Sequence, residues 1–133
     1  MLRLLLRVIG TFVLLALPCV FMPEAWMKAI HAWLDMGELP GDPVVGYLAR
    51  TTSALYAMLG GLMWIVSFDL RGHRPILGYL GMVFISMGII LFGVDIAEGM
   101  PLWWSIKEGL FNVGFGAAIL VLCRRIDKEQ PDA

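Results

Sequence analysis

The side chains able to do chemistry crowd into one stretch, residues 95–112, DIAEGMPLWWSIKEGLFN. Asp95, Glu98, Lys107 and Glu108 lie there in or against two long apolar runs. Two carboxylates three positions apart, Asp95 and Glu98, are what general acid–base catalysis would use. Glu98 falls in the watery turn between the runs, however, and no nucleophile or set of metal ligands accompanies the pair. Charges inside a membrane-length apolar segment are costly, so they must pair, face a cavity or stay at the lipid–water boundary. The preceding apolar run adds Arg50, and the last one adds Asn112. Arg50 and Glu108 each sit about 10 Å along their helices from the outer end. The expectation is an ion pair of these two, with Asp95 as second acceptor, clamping helix register. The sharper alternative for the cluster Arg50, Asp95, Lys107, Glu108 and Asn112 is a polar site for a headgroup, an ion or a proton.

Other chemistry is sparse. His31 and His73 are far apart, and the two cysteines, Cys19 and Cys123, form no C-x-x-C pair and no metal spacing. Gly-rich phosphate loops, G-x-S-x-G elbows and H-E-x-x-H motifs are absent from the sequence. The nine methionines are scattered rather than grouped as thioether ligands. No catalytic residue, metal site or cofactor is therefore assigned.

The elements that must position the cluster follow from composition. The 133 residues are 59% hydrophobic and only 16% charged, and mean hydropathy is +0.80. A soluble domain of this size could not hide so much apolar surface, so the bilayer has to act as solvent. Net charge is −1, which gives no support for nucleic acid as a partner.

We expect an all-α, integral-membrane four-helix bundle in a single domain, with spans at about residues 4–22, 44–68, 76–95 and 102–123. Arg7 snorkels at the head of the first span, Pro18 bends its last turn and Pro23 ends it. A signal peptide is the competing reading of that run, but no A-x-A site follows it. Residues 24–35 form a short amphipathic helix on the outer side, with Trp26, Ile30, Trp33 and Leu34 on one face and Lys28, His31 and Asp35 on another. It serves either as an interfacial anchor or as a lid. In the second span Ala49, Ser53, Ala57 and Gly61 recur every fourth residue, a small-residue stripe for close helix packing. In the third, Gly78, Gly81 and Gly88 share a side that steps of seven carry to Asp95, which therefore points inward. In the fourth, Ser105, Glu108, Asn112 and Gly116 share a face. Trp26, Trp33, Trp103 and Trp104 anchor the outer boundary, and the polar tail, residues 124–133, is expected to fray.

Charge sets the orientation. Arg3, Arg7, Arg71, Arg74, Arg124, Arg125 and Lys128 alternate with connections dominated by acids, with Lys28 as the one exception outside. By the positive-inside rule both termini are cytoplasmic, in an inner membrane. Cys19 and Cys123 then lie near opposite boundaries and cannot form a disulfide.

The blocks P-E-A-W…H-A-W-L, G-Y-L-A-R-T-T-S-A-L-Y-A and G-M-P-L-W-W…E-G resemble a group of small uncharacterised bacterial four-span membrane proteins. The resemblance covers most of the chain and implies four helices in an inner membrane, with no activity attached. The expected function is non-enzymatic: an accessory subunit, or a binder of lipid or another apolar ligand. Its partners are the bilayer and either other membrane subunits or further copies of the chain. A small oligomeric transporter or proton-conducting unit is the alternative, and a lipid-modifying enzyme a third. Below Asn112 the fourth run reads VGFGAAILVLC, which offers no polar path for a conductor.

Overall fold

The computed structural model describes residues 1–128, and these are all-helical: α1 (Leu2–Leu14), α2 (Leu17–Val20), α3 (Glu24–Trp33), α4 (Pro43–Val66), α5 (Arg74–Ala97) and α6 (Leu102–Lys128). Three stretches are long and apolar enough to cross a membrane: Leu2–Val20, Arg74–Ala97 and Leu102–Ile126. α4 is 24 residues long, but Arg50 with Thr51, Thr52 and Ser53 dilutes its apolar character, so the second expected span is not among the three. Contacts gather into two compact units, Leu4–Ser67 and Met1–Arg3 with Phe68–Ala133.

In the first of these units the chain enters α1, breaks at Leu15 and Ala16, and resumes as the single turn of α2 with Pro18 in its first two positions. Proline has no N–H to give the preceding turn, which is why the break falls there. Pro23 is the N-cap of α3. The end of α3 departs from the sequence expectation, because the helix stops at Trp33. Met36 N–H donates to the His31 carbonyl and Asp35 N–H to that of Ala32, with Asp35 at φ 57°. This is a Schellman closure with aspartate in the left-handed position, where glycine is usual. Asp35 is thus the cap of α3 and not part of its polar face.

α1 and α4 approach at glycine. A Cβ at Gly60 would lie 2.6 Å from the Gly10 carbonyl oxygen and 2.7 Å from the Leu14 nitrogen. At Gly61 a Cβ would meet nothing within 4 Å. Ala57 and Gly60 are buried, while Ala49 and Ser53 are half-buried. The every-fourth stripe is therefore corrected at its last member. Gly61 lies about 100° round the helix from Gly60, which turns it away from the contact.

In the other unit α5 and α6 form an antiparallel pair closed by glycines. Gly81 sits against the Gly116 carbonyl and Leu120, and Gly88 against the Gly109 carbonyl and Val113. Leu77, Leu80, Phe84, Phe115, Ile119 and Cys123 fill the core around them, with Phe84 and Phe115 edge to face at 4.7 Å. Gly78 faces open space and belongs outside this contact. α5 ends in a second Schellman closure, in which Met100 N–H donates to the Asp95 carbonyl at 2.8 Å and Gly99 takes φ 71°. α6 runs on through Lys128, held by Cys123 in the core. The expected fraying over residues 124–128 is therefore corrected, and residues 129–133 lie outside the described residues.

The connection ahead of α5 is a tight turn. The Asp69 carboxylate accepts the Gly72 N–H at 3.0 Å and the Arg71 N–H at 3.2 Å. The Gly72 bond, and to a smaller degree the Arg71 bond, hold the Asp69 carboxyl below its ordinary range.

Two predictions follow from the packing and the turn. Gly60→Ala is expected to cost about 1–3 kcal/mol by forcing backbones apart. Its neighbour Gly61→Ala is expected to gain up to about 1 kcal/mol from helix propensity. Thermal unfolding of the two variants in mild detergent reads the difference, and equal melting temperatures would refute the assigned contact. For the turn, a carboxyl with a depressed folded pKa contributes above the ordinary carboxylate range and loses that contribution as pH falls through the folded value. Asp69→Ala is expected to speed trypsin cleavage after Arg71 at neutral pH. The protection of the Gly72 amide against exchange, relative to the intrinsic rate at each pH, is expected to fall on acidification in the parent chain but not in the variant.

Candidate functional site

The richest polar ground is the end of the α5–α6 pair where α5 stops and α6 begins. Successive glycine contacts step seven residues along α5 and seven back along α6. Carried one step further, that register sets Asp95 level with the first turn of α6. Asp95 is only 8% exposed, and its Oδ2 is buried with no hydrogen-bond partner among the described residues. The first turn of α6 holds no acid, and its unpaired N–H groups make the positive end of a helix dipole, which suits a carboxylate. Ser105, fully buried, offers its hydroxyl to the Pro101 carbonyl at 3.5 Å. Asp95 and Glu108 lie within electrostatic reach of each other.

The other polar groups of α6 are satisfied within that helix. Trp104 Nε1–H donates to Glu108 Oε2 at 2.9 Å, and Asn112 Nδ2–H donates to the Glu108 carbonyl at 2.9 Å. Lys107 is exposed, with its ammonium 5.0 Å from the centre of the Trp103 ring. That contact takes Lys107 away from the inward cluster and gives it to the tryptophan belt. Trp103 meets Trp104 edge to face at 5.7 Å. These i, i+4 bonds need no second helix.

Arg50 belongs to the other unit. It donates to the Met22 carbonyl at 3.3 Å, tying the end of α2 to α4. Nearby, Lys28 and Glu24 pair at 2.7 Å along α3. The Lys28 hydrogen bond and charge hold the Glu24 carboxyl below its ordinary range, with a smaller pull from Arg50. Trp26 and Trp33 are exposed, as is Ile30, and α3 buries none of its residues.

One network has no counterpart in the sequence reading. Arg7 Nε–H donates to Ser67 Oγ at 3.1 Å, and the Ser67 hydroxyl donates to the Trp64 carbonyl at 2.7 Å. Trp64 Nε1–H donates to Thr11 Oγ1 at 3.1 Å, and the Thr11 hydroxyl donates to the Arg7 carbonyl at 2.7 Å. The Arg7 guanidinium lies 5.2 Å from the centre of the Trp64 ring. Arg7 is thus held by α4, beyond simple snorkelling. The signal was present as Arg7 and Thr11 flanking Gly10 at helical spacing, but only the crossing at Gly60 says which residues face them.

Beside the Gly88–Gly109 crossing lies an open cleft of about 370 Å³ with wholly apolar walls, including Ile89, Phe92, Ile106 and Leu110. Among the described residues no group of His, Cys, Asp and Glu could hold a metal ion, and both cysteines are free thiols. No protein-family model, curated protein or solved structure matches the chain.

Burial separates the two polar clusters in a testable way. Ser67→Ala removes a fully buried hydroxyl that both gives and takes a hydrogen bond, and is expected to cost about 1–2 kcal/mol. Asp95→Asn removes a charge whose one oxygen is already unpartnered, and is expected to leave the melting temperature unchanged or raise it. A large loss for Asp95→Asn with none for Ser67→Ala would reverse the roles assigned here.

Proposed function

We propose that the chain is a non-enzymatic protein of a bacterial inner membrane, spanning it four times with both termini cytoplasmic. Its role is to bind lipid or another apolar ligand, alone or as an accessory subunit of other membrane proteins. α4 is the fourth span, and the resemblance to small four-span bacterial proteins belongs to the same reading. The observation that carries it is the mismatch between apolar character and burial. The most apolar windows of the three long segments have mean hydropathies of 2.0, 2.2 and 1.6, yet only 11%, 28% and 28% of each is buried. Ile89, Ile90, Leu110 and Phe111 all face outward. Water would penalise that surface at about 25 cal/mol per Å², and hydrocarbon does not. The apolar cleft beside Gly88 and Gly109 supports ligand binding, because helices that touch at glycine leave flanking side chains splayed into a groove of acyl-chain width.

Asp95 favours one second reading. A buried carboxylate oxygen without a partner is a natural proton or cation acceptor in a low-dielectric site, and an ion-coupled unit would use it.

Two measurements test the pair of readings. Membranes washed with alkaline carbonate are expected to retain the protein. In a background lacking Cys19 and Cys123, an impermeant thiol reagent applied to whole cells is expected to label cysteine at Glu38 or Glu98 but not at Arg71. Release by carbonate would end the membrane reading, and labelling at Arg71 would end the orientation. Proton or cation flux into vesicles that is lost in Asp95→Asn would promote the second reading over the first.

A further inference from the structure

Asp95 ends α5 with its backbone satisfied and its side chain not. Its carbonyl accepts the Met100 N–H at 2.8 Å. The residue is only 8% exposed, and Oδ2 is buried with no hydrogen-bond partner among the described residues. A carboxylate oxygen left so costs more than an unpaired neutral group, because its charge has been taken from water as well. The first turn of α6 eases that cost only in part. Its positive helix end stands level with Asp95, but α5 stops at Ala97, so the negative end of α5 lies at the same height. In an antiparallel pair these two half-charges offset one another.

A second carboxylate adds to the first. Glu108 lies within electrostatic reach of Asp95, and its Oε2 takes the Trp104 N–H, which leaves Oε1. Ser105 stands one turn before Gly109 on the same seam and is fully buried. Its hydroxyl hydrogen points to the Pro101 carbonyl at 3.5 Å, so the lone pairs of Oγ remain to be offered. The basic side chains of the two helices are elsewhere. Lys107 is exposed and lies over the Trp103 ring. Arg74 opens α5 at the opposite end, and Arg124, Arg125 and Lys128 close α6 there. Among the described residues, Asp95 is the charged group that acts on Glu108, and no cation acts with it. Oxygens from two carboxylates and a hydroxyl suit a hard cation. Magnesium and calcium ask for about six to eight oxygen ligands, and among the described residues no group of three His, Cys, Asp or Glu could hold such an ion. A monovalent ion asks for less.

We propose that Asp95 Oδ2, with Ser105 and Glu108, binds a small monovalent metal cation, sodium in its chemistry, between α5 and α6. This rests on the ion reading given to Asp95 above and names the ion.

Melting of the full chain in mild detergent and rising sodium chloride, with choline chloride holding ionic strength constant, tests it. Sodium is expected to raise the melting temperature along a saturating curve, because an ion that binds only the folded chain stabilises it by mass action. Asp95→Asn keeps the size of the side chain and is expected to weaken the apparent sodium affinity about ten-fold or more. Ser105→Ala and Glu108→Gln are each expected to weaken it about three-fold. Should Asp95→Asn fail to fold, Glu108→Gln reads the same site, since glutamine still accepts the Trp104 N–H. Glu98→Gln removes an exposed acid at the same end of the pair and is expected to change nothing. A sodium response kept in full by Asp95→Asn would overturn the proposal, as would a loss for Glu98→Gln matching that for Asp95→Asn. So would a parent chain that melts at one temperature in sodium and in choline. Saturation at lower concentration with magnesium would overturn the single charge assigned to the ion. Proton flux in vesicles that is lost in Asp95→Asn, with no sodium response in the parent, would keep the ion-coupled reading and end this one.

Discussion

Backbone-to-backbone contact at glycine is the constraint on which the rest of the structure depends. Backbones that come this close gain dispersion contact along both helices, which wider side chains would forfeit. Gly10 with Gly60, Gly81 with Gly116 and Gly88 with Gly109 are the places where a single methyl group would stop the approach. Each contact also fixes rotation. With Gly60 against Gly10, Arg7 and Thr11 must face Trp64 and Ser67; with Gly88 against Gly109, Asp95 must turn towards the first turn of α6. Polar placement is thus a consequence of where side chains are missing.

Polar side chains in the apolar segments divide by how they are satisfied. Trp104, Glu108 and Asn112 bond along one helix, which keeps their cost low however that helix is surrounded. Arg7, Thr11, Trp64 and Ser67 bond across two helices of one unit, and so hold those helices in register. Asp95 does neither, and it is the buried group whose oxygen lacks a partner. A carboxylate level with a helix N-terminus gains from the dipole, about 0.3–1 kcal/mol in exposed settings and more when partly buried. That imbalance singles out Asp95 among the described residues.

The two ends of the helices carry different chemistry. In the α5–α6 unit tryptophan marks one end, with Trp103 and Trp104 on α6, and Lys107 lies over the Trp103 ring. Arginine marks the other end of that unit, with Arg71 and Arg74 ahead of and at the start of α5 and Arg124 and Arg125 late in α6. A protein whose long helices bury little of their own apolar surface has its selective contacts at such ends.

Helical class, the three long apolar segments, the amphipathic stretch beginning at Glu24 and the inward turn of Asp95 were all legible in the residue order, because each depends on local periodicity. Other features needed the tertiary structure. The every-fourth stripe pointed to Gly61, while the close approach of α1 chose Gly60. The end of α3 at Asp35 was hidden because aspartate rarely takes the left-handed cap. Lys107 looked like a member of the inward cluster until the helix turned it onto Trp103. The network of Arg7 with Ser67 joins residues 60 positions apart. Sequence order sets which side of a helix a residue occupies; only the packing of one helix on another sets what that side meets.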